Sequence, residues 1–354
     1  MATIRDVAKL AGVSTATVSR SFRNEHSLKD LTRQRVLDVA TQLNYHPHRS
    51  AKAVRDASGK TSSMIGFQFF ALNEADALTA NLFYGPVLVG AQAEAAEIGL
   101  HMLLSTTNRY TLEGELPQMV RECAVSGLLL AGTADPAVLS AYLTHVPHIV
   151  LVENWDAAQE YDCVISDDFG GAMTATNYLF GLGHKRVGFL TSTLKDVTFQ
   201  QRLNGYVAAH IQAGIPLEWS RIAAVGSSEN AEEHFISGDD IIAHLRSKEC
   251  PTAFVAVCDV YAVELMRACR KLKISIPHDL SVIGYDDIEL GAYVHPTLST
   301  IRVDKEYLGR LAVRRLCSRI ERAAHSSRTD PPVRIQLPAK LIERESCAPP
   351  KACE

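Results

Sequence analysis

Three apolar runs in the second half of the chain end in groups that suit a polar ring. "GFLTSTLKD" leads to Asp196, "AVCD" to Cys258 and Asp259, and "VIGYDD" to Asp286, while Arg202 opens the helical pattern after the first of them. A carboxylate accepts from two hydroxyls and a guanidinium donates from a fixed fork, so the set fits a sugar or a similar ring. Upstream, "NLFYG" offers Phe83 and Tyr84, and "VENW" offers Asn154 and Trp155, against which a ring can stack. An acid after a strand is also a common helix N-cap, which is the plainer reading of Asp259. The convergence of these residues carries more weight than any one of them.

A second chemistry sits in "TIRDVAKLAGVSTATVSRSF". Ile4, Val7, Ala8 and Ala11 fall on one helical face. Thr3 with Asp6 forms a capping-box pattern, and Gly12 supplies a left-handed stop. Ser14 is a good N-cap for a second helix, about 15–22, on which Val18 and Phe22 turn inward and Ala16 and Arg20 outward. A third helix, about 30–43, repeats the spacing with Val36, Val39, Ala40 and Leu43. This pattern reads as a helix-turn-helix. Its second helix has a slim, hydroxylated outer face that fits a major groove. There Thr15 and Ala16 can meet thymine methyls and base edges, and Arg20 can donate twice to a guanine. A three-helix bundle with a merely solvated face would show the same periodicity.

Charge favours the first alternative. Residues 1–60 hold eleven Lys and Arg against five Asp and Glu, a net of +6, while the remainder carries −10. A basic head on an acidic body implies that only the head meets a polyanion. The eight cysteines follow no Cys-x-x-Cys or metal spacing and read as free thiols. The apolar runs are strand-length, and Arg5, Asp6 and Lys9 interrupt any signal-peptide core, so a cytoplasmic protein without a membrane span is expected. His-Glu-x-x-His, Gly-x-Ser-x-Gly and Walker motifs are absent, and the histidines show no metal spacing. We therefore expect neither enzyme, metal nor cofactor. A periplasmic sugar receptor or an enzyme on the same body is the alternative, opposed by the basic head and the missing signal peptide.

From Met64 onward the chain alternates short apolar runs ("MIGFQFF", "HMLLS", "GLLLAG", "HIVLV", "RVGFL", "TAFVAV", "LSVIG") with helical patterns at about 85–98, 170–182, 202–213 and 260–272. This is the α/β signature of doubly wound parallel sheets. Its length suggests two lobes, with a break near "ISDDFGG", where Asp167 or Asp168 can cap the next helix.

The head residues "ATIRDVAKLAGVSTATVSR" and "TRQRVLDVATQLNYHPHRSAKAVR" closely resemble those of the lactose-repressor (LacI/GalR) family of regulators. "NLFYGPVLVG", "LGHKRVGFL", "RLNGY", "SVIGYDDIELGAYVHPTLSTI" and "LIERES" resemble that family's body. The resemblance implies a periplasmic-binding-protein-like body behind the head. It implies base reading by Thr15, Ala16 and Arg20, and phosphate or hinge contacts from Ser14, Thr17, Ser19, Asn24, Tyr45, His48, Lys52, Val54 and Arg55. It implies effector contact by Arg202 and Asp286 first, then Phe83, Tyr84, Asn154, Trp155, Asp196, Thr198 and Cys258. The expected organisation is a head over 1–46, a hinge helix and linker over 47–63, and a first lobe over 64–169 with 302–328. A second lobe follows over 170–301 with 329–346, then a tail over 347–354. A homodimer would bind a near-palindromic DNA operator under control of a sugar-like effector.

The chain departs from the family pattern at Lys29, His48, Leu82 and Cys258, and at Val54, where a wedging leucine is usual. Valine fills a base step less well and favours helix slightly less, so a looser hinge is expected. Residues 71–80 form a longer loop than the family's. The tail lacks a leucine heptad, which gives no basis for a tail-driven tetramer.

Overall fold

The computed structural model describes residues 4–22, 30–42, 54–55, 61–62, 64–71, 78, 81–108, 116–122, 124–133, 136–143, 145–154, 161–192, 196–224, 241–242, 245, 251–325 and 331–351. The chain divides into two compact units, Met1–Ala53 and Val54–Glu354.

The first unit holds three helices, α1 (Ile4–Ala11), α2 (Thr15–Phe22) and α3 (Asp30–Gln42). Val7, Ala8 and Ala11 of α1 meet Val18 of α2 and Val36 and Ala40 of α3 in one small core, against which Val13 and Val39 also pack. Gly12 takes φ +66°, the left-handed geometry that ends a helix cheaply. Ser14 Oγ accepts from Thr17 N at 3.1 Å and so caps α2. Thr3 and Leu43 lie outside the described residues.

The second unit begins with β1 (Val54–Arg55), paired antiparallel with β2 (Thr61–Ser62). Val54 and Arg55 were expected at the end of a hinge helix; here they are extended, and β1 runs beside the C-terminal helix. An eight-residue helix is marginal without a partner, whereas a β-branched residue is comfortable in a strand.

A six-stranded sheet forms the first lobe in the order β13-β7-β6-β5-β3-β4. Its strands are β3 (Met64–Ala71), β4 (His101–Asn108), β5 (Leu128–Ala131), β6 (Ile149–Val152), β7 (Asp162–Ser166) and β13 (Arg334–Leu337). All its pairings are parallel, and its central strands are buried along their length, as helix-covered parallel strands must be. Around it lie α4 (Tyr84–Glu97), α5 (Gln118–Arg121) and α6 (Pro136–Leu143).

The second lobe is a parallel sheet of order β11-β10-β8-β9. It comprises β8 (Val187–Thr191), β9 (Ile222–Ala224), β10 (Ala253–Ala256) and β11 (Ser281–Ile283), with α7 (Asp168–Gly181), α8 (Val197–Ala213) and α9 (Asp259–Leu272). Leu190, Phe254, Leu265, Met266 and Val282 centre its core.

The chain then returns. After β12 (Thr300–Arg302), α10 (Lys305–His325) packs on α4 at a spacing only glycine allows. A Cβ on Gly90 would stand 1.9 Å from Glu306 O, and one on Gly309 2.0 Å from Val87 O. The carboxylate of Asp162, wholly buried, accepts from Arg315, Arg319 and the backbone N of Val333, tying α10 and the start of β13 to the sheet. Residues 329–346 were expected wholly in the second lobe. Instead β13 pairs with β7 in the first, while β14 (Lys340–Ile342) pairs with β12 and Ser346 bonds to Val282 of β11 in the second. Asp162 and the exposed backbone edge of β7 draw β13 there, and no local pattern in "VRIQLPAKLIE" could show it. No described helix is long and apolar enough to cross a membrane.

Candidate functional site

Both sheets change winding direction at their first strand: β3 lies between β4 and β5, and β8 between β9 and β10. In such sheets ligands bind beyond the carboxyl ends of the strands at that reversal. The polar residues of the cleft stand there, on both lobes.

Arg202, only 4% exposed on α8, is the central cation. Its Nε donates to Asp168 Oδ1 at 2.7 Å and its Nη1 to Val257 O at 2.7 Å. Nη1 also lies 3.1 Å from Asp286 Oδ1. The guanidinium carbon sits 3.8 Å above the Tyr285 ring, a cation–π contact. Tyr285 in turn donates to Asp167 O at 3.0 Å. Burial works against the Arg202 cation, but Asp286 and Asp168 outweigh it and hold its pKa well above the ordinary value.

The carboxylates around it are crowded. Glu153, at the end of β6, accepts from Ser166 N at 2.6 Å and from Ser166 Oγ at 3.0 Å. The same hydroxyl lies 3.3 Å from Asp168 Oδ1. Burial, with Asp168 adding repulsion, pushes Glu153 up to about 8; burial also pushes Asp168 up to about 6. Asp286 is raised by burial, with Arg202 and Lys305 pulling it back. Asp286 and Glu153 have φ of 109° and 53°, conformations that cost L-residues about 1–3 kcal/mol each and gather at functional sites. Asp286 is held there by its own N–H to Ile301 O at 2.8 Å and by Lys305, whose Nζ donates to its carbonyl.

The structure brings together most of the expected effector residues. Arg202 and Asp286 touch, and Cys258 stands near both, its thiol pushed up to about 12 by burial and by Asp286. Tyr84 packs on Phe69 with centroids 5.0 Å apart and edge-on to Phe83 at 5.1 Å. Burial, then Glu153 and Asp196, raise its phenol well above the usual range. Asn154 donates to Gly132 O at 3.2 Å, so its amide shapes the β5 turn.

Asp196 and Thr198 have a further job. Asp196 Oδ1 accepts from Thr198 N at 3.1 Å and Thr198 Oγ1 at 2.8 Å, capping α8, which therefore starts before the expected 202. Asp196 also takes Thr133 Oγ1 at 3.2 Å, a bond from one lobe to the other. Asp259 is no N-cap: it accepts from Thr300 Oγ1 at 2.6 Å and Ile288 N at 2.8 Å, fixing the Asp286 turn. Trp155 lies outside the described residues.

Sequence reasoning passed over Glu153, Ser166, Tyr285 and Thr133, and saw Asp168 only as a cap. The one available signal was position, since each stands at or just past the carboxyl end of a strand. Among the described residues no group of His, Cys, Asp and Glu is placed to hold a metal ion.

In the head, Thr15 is exposed at the start of α2. Ser14 Oγ and Thr17 Oγ1 lie 2.9 Å apart, so two expected phosphate contacts share a hydrogen bond. The side chains of Ala16, Ser19, Arg20, Val54 and Arg55, and all of Asn24, Tyr45, His48 and Lys52, lie outside what is described.

Residues 3–48 match the model of bacterial regulatory proteins of the lacI family, and residues 176–347 that of a periplasmic binding protein-like domain. The ribose operon repressor of Haemophilus influenzae is 31% identical over 98% of each chain. The HTH-type transcriptional repressor PurR of Aliivibrio fischeri is 30% identical, also over 98% of each. Among solved structures, a transcriptional regulator CelR–cellobiose complex aligns with TM-score 0.68 and 25% identity over 98% of this chain and 100% of that one. The lac repressor dimer bound to operator and the anti-inducer ONPF aligns with TM-score 0.66 and 25% identity, over 98% and 99%. The head and the body are thus both matched, the relatives align almost end to end, and the chain belongs to the LacI family of bacterial regulatory proteins.

Proposed function

We propose that the protein is a cytoplasmic, homodimeric transcriptional repressor whose hold on a near-palindromic operator is set by a small sugar-like effector. The supporting observation is Arg202, held on the second lobe by Asp286 and by Asp168 at the crossover, in a cleft whose other wall carries Tyr84, Glu153 and Asn154. A ligand bonding to groups on both walls prefers one lobe angle, and that differential affinity is what shifts a two-state equilibrium. The DNA end of the reading rests on the three-helix head, the exposed start of α2 and the +6 charge of residues 1–60. Thr15, Ala16 and Arg20 read bases. Ser14, Thr17, Ser19, Asn24, Tyr45, His48, Lys52 and Arg55 engage phosphates, and Val54 marks the wedge position. A two-fold dimer calls for a two-fold site. The similarity to a ribose operon repressor and to a regulator bound to cellobiose favours a sugar or a similar polar ring.

The test is a gel-shift titration of the full chain on palindromic and scrambled duplexes, with and without candidate sugars, at two salt concentrations. A preference for the palindrome that one sugar alters is expected. Arg20→Ala should cost about 1–3 kcal/mol on the preferred site and far less on scrambled DNA. Equal loss on both would move Arg20 from base reading to phosphate contact.

A further inference from the structure

The stretch Tyr285–Asp287 stands between the cleft and the three crossings that join the lobes. Those crossings run from β7 to α7, from β12 to α10 and from β13 to β14. On the cleft side, Asp286 Oδ1 lies 3.1 Å from Arg202 Nη1, and the Tyr285 ring centroid lies 3.8 Å from the carbon of the same guanidinium.

Each crossing is tied to this turn. At the first, the Tyr285 hydroxyl donates to Asp167 O at 3.0 Å. A Cβ on Gly171 would stand 2.3 Å from that hydroxyl, so Tyr285 wedges against the first turn of α7. At the second, Asp286 N donates to Ile301 O at 2.8 Å, Asp287 N to Thr300 Oγ1 at 3.3 Å, and Lys305 Nζ to the carbonyls of both aspartates. Residues 300–305 thus hold every backbone polar group of Asp286 and Asp287, and Arg302 adds a bond to Asp287 Oδ2. At the third, Arg344, two residues past β14, donates to Asp287 Oδ1 at 2.6 Å. Asp167 closes the ring, donating from its N to Leu337 O at 2.9 Å and accepting at Oδ1 from Gln336 Nε2 at 2.7 Å. Asp286 and Asp287 have φ of 109° and 52°, values that persist in L-residues only where the surroundings over-determine them.

We infer that the turn Tyr285–Asp287 is the joint that converts occupancy of the cleft into the angle between the lobes, with Asp286 facing the cleft and Tyr285 and Asp287 gripping the crossings. This rests on reading the cleft as the effector site and names the residues that carry its signal. A ligand group that bonds to Asp286, or draws Arg202 from it, moves a turn with no slack in its backbone bonds, so the shift passes to all three crossings together. Tyr285 and Asp287 are positioning residues in this scheme, acting through the segments they hold.

The test is amide hydrogen exchange of the full-length protein, read by mass spectrometry over residues 165–171, 300–308 and 336–342. Tyr285→Phe deletes the bond to Asp167 O and keeps the ring under Arg202. Arg302→Gln, at a half-exposed residue, removes one charge from Asp287. Losing one such bond should speed exchange roughly 3- to 10-fold, and for either variant the rise should appear in all three segments. A rise confined to the segment that the variant touches, or no rise, overturns the joint. So does an equal rise in Arg267→Ala, whose exposed pair with Glu264 lies on α9, since that would mark general loosening. Ribose and cellobiose then probe the coupling. A sugar that raises the wild-type Tm should raise that of Arg302→Gln equally, yet change its retention by the palindromic duplex less. An equal change in retention overturns the coupling. Silence of the wild type to both sugars counts against the effector reading, while the exchange pattern still decides the joint.

Discussion

Replacing Arg202 with Met tests the electrostatic account of the cleft. Methionine fills most of the volume and adapts to irregular gaps, so the main change is loss of the cation. The side chain gives up contacts to Asp168 at 2.7 Å, to Val257 O at 2.7 Å and to Asp286 at 3.1 Å, together with its seat 3.8 Å above Tyr285. Removing one partner of a buried ion pair costs about 3–5 kcal/mol, because the other charge stays behind. Here the partners left behind are acids already raised by burial, and they can escape by binding protons. An acid with a raised folded pKa contributes stability that is present at low pH and lost as pH climbs through that pKa. The penalty should therefore be large at pH 8 and shrink at pH 5.5. At about 2–4 °C per kcal/mol, the body's melting transition should fall by roughly 6–20 °C at pH 8. At least half of that loss should return at pH 5.5. Thermal unfolding followed by circular dichroism at the two pH values measures both. A drop below about 2 °C at pH 8, or an equal drop at both, would refute the claim that Arg202 neutralises buried carboxylates.

Glu153, pushed from 4.5 up to about 8, should make the wild-type protein lose stability as pH rises between those values. Glu153→Gln removes that titration while keeping an oxygen for Ser166 N, so its Tm should vary less between pH 5 and 8.5; parallel curves for the two proteins would assign the slope elsewhere. Gly90→Ala would put a methyl 1.9 Å from the backbone oxygen of Glu306, which cannot swing away. Despite alanine's better helix propensity, overpacking should cost about 1–3 kcal/mol and lower Tm by several degrees. An unchanged melting temperature would mean that α4 and α10 are not in close contact.

Much of the architecture could be read from local pattern. Gly12 and Ser14 mark the break between α1 and α2 because a left-handed stop and a hydroxyl cap are local devices. Asp286 was legible as a site residue because it stands just past an apolar run, and Arg202 because it opens the helical pattern after one; the family resemblance ranked both first. Asp196 was read for its charge and not for its reach to Thr198 two residues on, which begins α8 early. Glu153 and Ser166 left no signal, because a glutamate after "IVLV" looks like any surface acid until β7 lies beside β6.

By itself the sequence determined the helix-turn-helix head, the charge split between head and body, the alternation that builds parallel sheets, and the strand ends where polar groups gather. These follow from periodicities of a few residues and from interactions between near neighbours. Tertiary structure alone decided that β13 crosses back to β7, that Arg202 is shared between Asp168 and Asp286, and that Thr133 reaches Asp196 across the cleft. Those contacts join residues 34 to 171 positions apart, and the buried Asp162 and Arg202 that organise them meet their partners only after the sheets have packed.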